Sequence, residues 1–397
     1  MSAPLAGGPA GRSVVTDWNR KGVRVAALDT LRGALLILIL VTHGFALVAV
    51  AGMTSTSREA IEVLFGVATP SFVLISGTLF GFFLGSRDDL ARVFRGYRKR
   101  AFLFFGLGHL LLAAELYPVY GAATGSFLRF YLSRWYITDT LGVAFLLMPA
   151  LLPSLRPRYR VALGVALLVA SRIDVVLPWA RSPQALVVHQ VFFGRLIASP
   201  RMSFDCYPLI PIIADFMVGS FIGDRLALAL GPAFTQRYTI NDFISETRGW
   251  AVRLALLSAV LCGGWALLAS RLHGHRVLQA ILYPDRSFSL FPAYLAWYLV
   301  ALGFLLRYLG GQQRAGRRSA PVTWGLGLLG RRSLFVFVAQ YFVVQTLPTV
   351  LGHRWMSLRG LLEFLPFAVA AVFVAALAWD WMRAPRVRPP AGVTIIP

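Results

Sequence analysis

Charge is scarce in this 397-residue chain: only 14% of its residues are Asp, Glu, Lys or Arg, while 57% are apolar. With a mean hydropathy of +0.67, that balance excludes a soluble globular domain and calls for lipid as the solvent. Acidic residues are the scarcer sign, 17 against 39 basic ones, for a formal charge of +22. The basic residues fall in short clusters between apolar runs, so they read as membrane topology rather than as a nucleic-acid surface. Cysteine is nearly missing. Cys206 and Cys262 lie in unrelated segments without redox or metal spacing, which supports neither a disulfide framework nor a zinc site. The connections between apolar runs are short enough to exclude an appended soluble domain. No coiled coil, low-complexity tract or inverted repeat is evident, and the last of these is the usual mark of a secondary transporter.

What remains is a series of apolar runs. Taking about 20 residues to span the hydrocarbon core, the sequence predicts helices near 26–50, 60–85, 101–121, 135–153, 160–180, 208–224, 250–270, 287–307, 333–350 and 361–382. The expected fold is therefore all-α: a polytopic membrane protein of about ten transmembrane helices. Residues 1–25 form a polar tail, 26–382 the transmembrane domain and 383–397 a second tail. The first apolar run is too long for a signal peptide and has no small-residue cleavage site, so it reads as an uncleaved helix. Most basic residues fall in the tails and in Ser86–Arg100, Ser154–Arg160, Asp224–Gly249 and Tyr308–Arg332, which places both termini in the cytoplasm. The outer segment Arg181–Tyr207 is apolar enough in its middle to be re-entrant or interfacial.

Ionisable residues interrupt the first helix in a pattern. Asp29, Arg32 and His43 share one face: eleven steps of about 100° from Arg32 to His43 make roughly three turns and a rise of about 16 Å, and Asp29 is three residues before Arg32. Such groups within a membrane point to a functional site, because burial is costly unless they face a cavity or partners. A packing ion pair with a helix-bonded histidine is the plainer alternative. Neutral imidazole suits proton removal from a hydroxyl or amine near physiological pH, and it can also accept an acyl group.

The string Leu28-Asp29-Thr30-Leu31-Arg32-Gly33, with His43 eleven residues after Arg32, resembles the opening helix of the acyltransferase-3 family. Glucan succinyltransferases and heparan-α-glucosaminide N-acetyltransferase begin in similar ways. The resemblance implies transfer of an acyl group, of acetyl or succinyl class, from cytoplasmic acyl-CoA to a glycan or lipid-linked acceptor, with His43 at the catalytic centre. An extended phosphopantetheine arm matches the rise from Arg32 to His43 in length, so a phosphate near Arg32 would present a thioester near His43. Residues 65–77, ending Ile75-Ser76-Gly77, resemble the second helix of the same superfamily; Pro70 there frees carbonyls toward a cavity, and Ser76 is either a substrate donor or a small packing residue. Arg92, Arg95, Arg98, Lys99 and Arg100 are what positive-inside charge alone would produce, but the resemblance makes Arg98 and Arg100 phosphate ligands of coenzyme A.

Other polar positions are less pointed. His109 and Glu115 lie about 240° apart on one helix and form no simple dyad. Asp139 suits an acid partner for His43 or a helix cap. Arg172 and Asp174 do not face each other. Asp215, intramembrane and after Pro208 and Pro211, has no assigned role. Gly330-Arg331-Arg332-Ser333-Leu334 opens a helix as in these acyltransferases, with Gln340 where many relatives carry histidine. His189, His273, His275 and His353 fall in outer loops, and His273-Gly274-His275 lacks carboxylate support for a metal. No metal is predicted. The sequence thus points to a membrane acyltransferase in a bacterial cytoplasmic membrane, with acyl-CoA, acceptor and lipid as partners and no nucleic acid. A transporter or flippase lined by the same charges is the rival.

Overall fold

A computed structural model describes residues 16–19, 22–48, 67–86, 90–121, 125–173, 189, 191–193, 208–230, 238–271, 290–314, 320–352 and 356–383. A short antiparallel hairpin, β1 (Thr16–Asn19) and β2 (Gly22–Val25), runs directly into the first helix. All other regular structure is helical: α1 (Ala26–Val48), α2 (Ala68–Ser86), α3 (Leu90–Phe102), α4 (His109–Tyr120), α5 (Phe127–Leu132), α6 (Ile137–Leu151) and α7 (Pro157–Ile173). Then follow α8 (Leu209–Leu230), α9 (Ile240–Arg271), α10 (Phe291–Arg314), α11 (Pro321–Arg331), α12 (Ser333–Tyr341), α13 (Leu347–Val350) and α14 (Leu358–Arg383). Helix occupies part of every segment in which the sequence predicts a span. Among the described residues, seven stretches are long and apolar enough to cross a membrane. Large side chains such as Val252, Leu256 and Val260 on α9 and Phe367, Val374 and Trp381 on α14 face outward, which is the surface of an integral membrane protein.

Two expected loops are helices. The sequence predicts a connection at Ser86–Arg100, yet Leu90–Phe102 is helical and continues through a π-helical turn (Leu103–Gly108) into α4. Its basic residues hide an amphipathic pattern: Val93, Tyr97 and Ala101 are buried at intervals of four, which suffices to dock a helix whose other faces are charged. Pro321–Arg331 is the second expected loop. Pro321 starts this helix where its missing N–H costs nothing, and the glycines that make it look loop-like let it lie against α1. The histidine pair at 273 and 275, His353, Asp174, Cys206 and most of 181–207 lie outside the described residues.

Close backbone approach organises the bundle. At Gly33 a Cβ would stand 1.9 Å from the carbonyl oxygen of Leu326, and at Gly330 it would stand 1.8 Å from that of Asp29. Helices α1 and α11 therefore touch along their backbones. A longer seam joins α2 to α8: a Cβ on Gly77 would meet Phe216 O at 2.2 Å, on Gly81 Ser220 O at 1.8 Å, on Gly219 Leu74 O at 2.4 Å and on Gly223 Thr78 O at 2.0 Å. Lipid is as apolar as leucine, so helix association rests on such packing rather than on hydrophobic burial. The Tyr298 hydroxyl on α10 bonds Thr78 Oγ1 at 2.8 Å, and Arg332 pairs with Asp380 to tie the α11–α12 junction to α14.

Replacing Gly81 by leucine should lower the unfolding free energy by about 3 kcal/mol through overpacking of this seam. Gly96, where a Cβ would meet nothing within 4 Å, is the control: Gly96→Ala should stabilise by ~0.5 kcal/mol or more through helix propensity. Thermal unfolding in detergent compares the two.

Candidate active site

The seam at Gly33 sets the rotation of α1. With Gly33 against α11, the preceding residue, Arg32, turns toward α2, where its guanidinium carbon lies 5.8 Å from the centre of the Phe72 ring. Its Nε is buried without a hydrogen-bond partner among the described residues. Asp29, Arg100, Tyr97 and Tyr298 are close enough to act on its charge. Arg100 lies 5.4 Å from the ring of the buried Tyr97. Arg32 thus sits among a second guanidinium, one carboxylate and two phenols, an arrangement with more cations than carboxylates and an unused Nε donor that suits an anion such as a phosphate. Arg98 is also exposed but lies about 200° round the helix from Arg100.

Farther along α1, His43 lines a cavity of about 20 Å³, room for about one water. Its walls come from five places: Ile39 and His43 of α1, Thr69 and Phe72 of α2, Phe104 of the π turn, Leu141 of α6, and Phe337 and Tyr341 of α12. The Tyr341 ring packs on the imidazole with centres 4.3 Å apart and planes inclined at 40°. His43 Nδ1 is buried and has no hydrogen-bond partner among the described residues. A second π-helical turn, Phe342–Thr346, begins immediately after Tyr341, so both π turns border this cavity; such turns are rare and recur at functional sites. Phe72 belongs to both ends: it carries Arg32 over its ring and walls the chamber of His43.

The structure brings Asp139 to His109 rather than to His43. His109 Nδ1 lies 2.8 Å from both oxygens of Asp139, and Nε2 lies 3.0 Å from the carbonyl oxygen of Tyr131. Acceptors face both ring nitrogens, a set that only a doubly protonated imidazole satisfies. Asp139 also accepts from the backbone N–H of Tyr136 at 2.7 Å, closing the start of α6. This clasp joins α4, α6 and the segment between them. Ser76 donates its hydroxyl proton to the Phe72 carbonyl at 3.0 Å, which leaves only its lone pairs for another molecule. Glu115 sits apart from His109, its backbone carbonyl accepting from Thr346 Oγ1 at 2.6 Å. Gln340 is fully buried, and neither atom of its amide has a partner among the described residues.

Sequence reasoning missed Tyr341, Phe337 and Tyr97 as site residues. The spacing of Leu334, Phe337 and Tyr341 on one helical face was a usable signal. Nothing local in the sequence indicates which helix that face meets.

The profile of the family described as "Heparan-alpha-glucosaminide N-acetyltransferase, catalytic" matches residues 24–257, more than half of the chain. The chain belongs to this family. No curated protein matches it. The matched stretch carries Arg32, His43, Ser76, Arg98, Arg100 and Asp139 together with four of the five cavity walls, and α12, beyond it, closes the fifth. Membership makes the chain a membrane acyltransferase of the acetyltransferase kind.

Breaking the clasp should damage the fold more than the chamber. Asp139→Asn should cost about 3–5 kcal/mol of stability by leaving His109 without its buried counter-charge. His43→Ala should stay within about 1 kcal/mol of the parent protein. Equal losses in thermal unfolding experiments would contradict this division.

Proposed function

We propose that the protein transfers an acyl group, of acetyl or succinyl class, from cytoplasmic acyl-CoA to a hydroxyl or amine of a glycan or lipid-linked acceptor. The observation that carries this reading is the shared wall: Arg32 and His43, each with a buried nitrogen lacking a partner among the described residues, stand at two ends of a surface made by Phe72. Arg32 and Arg100 hold the phosphates of the donor, with Asp29 orienting Arg32, and the pantetheine arm follows Phe72 to place its thioester beside His43. His43 takes the proton of the acceptor hydroxyl or amine. The acceptor heteroatom then bonds to the carbonyl carbon, the carbon–sulfur bond breaks, and the thiolate of coenzyme A recovers the proton. The chamber holds about one water as it stands, so entry of the thioester requires its aromatic walls to part. Tyr341 is a positioning residue for the imidazole, a duty that a carboxylate performs in many histidine sites. Both termini lie in the cytoplasm of a bacterial cell, where the basic clusters favour them.

The test is turnover in vesicles containing the purified protein, acetyl-CoA and an amino-sugar acceptor, with release of free coenzyme A and formation of acetylated product measured together. His43→Ala should reduce transfer 10²–10⁴-fold, the usual contribution of a positioned general base. Arg32→Ala should raise the KM for acetyl-CoA by about 10–100-fold, as expected for the loss of charged hydrogen bonds, while the protein remains folded. Full activity after loss of His43 overturns the assignment. Solute flux without coenzyme A release would support a transporter instead.

A further inference from the structure

Asp215 has no role in the chemistry above. It lies in α8, is 6% exposed, and makes no hydrogen bond or ion pair among the described residues. Ser71, in α2, is fully buried, and its hydroxyl has no partner among them either. Unpaired buried polar groups are rare and costly, and a lone carboxylate in a membrane helix is the extreme case. The α2–α8 seam relates the two. Gly219 packs on the carbonyl of Leu74 and Gly223 on that of Thr78, so the helices run parallel in constant register. One turn before these contacts lie Asp215 on α8 and Pro70 with Ser71 on α2, so both polar groups stand at the same end of the seam. The same turn of α2 supplies Thr69 and Phe72 to the chamber of His43.

We infer that Asp215 and Ser71 form the acceptor-recognition element of this enzyme, a site for the hydroxyls or amine of a sugar; the inference rests on the transfer reaction proposed above. A carboxylate accepts two hydrogen bonds and a serine hydroxyl both donates and accepts, a set matched by neighbouring sugar hydroxyls or by an ammonium beside a hydroxyl. The two ends of the site differ in kind: cationic donors at Arg32 and Arg100 suit the phosphates of the donor, whereas Asp215 and Ser71 offer a carboxyl and a hydroxyl to the acceptor. Asp215 acts as a specificity residue, not as a proton carrier for the reaction.

The experiment uses the full-length protein in vesicles, acetyl-CoA as donor, and methyl α-D-glucosaminide or methyl α-D-glucoside as acceptor probes. Asp215→Ala should raise the acceptor KM at least tenfold and Ser71→Ala about threefold, with kcat within threefold and the KM for acetyl-CoA unchanged. A larger effect of Asp215→Ala on the glucosaminide than on the glucoside assigns the carboxylate to the amine; equal effects assign it to hydroxyls. Thermal unfolding without sugar supplies the second readout. An unpaired buried carboxylate adds no stability, so Asp215→Ala should keep or raise the melting temperature and lose the upward shift that the sugar gives the parent protein. A lowered melting temperature, or an acceptor KM that does not move while the parent enzyme turns over acetyl-CoA, overturns the inference alone. A parent enzyme that neither turns over acetyl-CoA nor is stabilised by either sugar overturns the transfer reading as well.

Discussion

Backbone contact between helices is the constraint on which the rest of this structure depends. In lipid the hydrophobic effect does not draw apolar helices together, so tight packing must do so, and it needs small residues where helices cross. Here glycines supply it at two places: Gly33 and Gly330 between α1 and α11, and the Gly77, Gly81, Gly219 and Gly223 seam between α2 and α8. Both seams lie one residue or one turn away from chemistry. Gly33 follows Arg32, and the α2–α8 seam continues past Leu74 toward Ser71 and Phe72. The geometry of the site follows from how these helices are locked.

Between the two locked pairs lies the wall shared by Arg32 and His43. Among the described residues neither forms a side-chain ion pair such as the one that joins His109 to Asp139. That contrast divides the polar interior. The clasped groups, His109 with Asp139 and Arg332 with Asp380, hold helices in place, whereas Arg32, His43, Ser71 and Asp215 keep capacity unspent. Buried polar groups normally find partners within the protein, so the unspent ones mark where another molecule belongs.

Hydropathy made the helical membrane architecture legible, because an apolar run of about 20 residues is the length a helix needs to cross the hydrocarbon core. The three-turn relation of Arg32 to His43 was equally legible, since α1 is one unbroken helix. Two kinds of feature were not. Leu90–Phe102 and Pro321–Arg331 were hidden by their arginines and glycines, which read as loop in a composition window although one face of each helix packs. The partners of site residues were hidden as well: Asp139 pairs with His109 from 30 residues away, and Tyr341 reaches His43 from the other end of the chain. Such contacts depend on which helices become neighbours, and a single sequence does not state that. Asp215 stood out in the sequence as an intramembrane carboxylate, but its relation to Ser71 needed the register of the seam.

The seams also divide what this enzyme can change from what it cannot. A side chain added at Gly33, Gly81 or Gly223 collides with a carbonyl of the facing helix, so drift at these positions is barred whatever the substrate. The chamber walls are mostly aromatic and aliphatic side chains from five separate elements, and none of them is a seam glycine. An enzyme built this way acquires new substrates by exchanging panels on a fixed frame, and its descendants should differ in what they acylate long before they differ in how their helices cross.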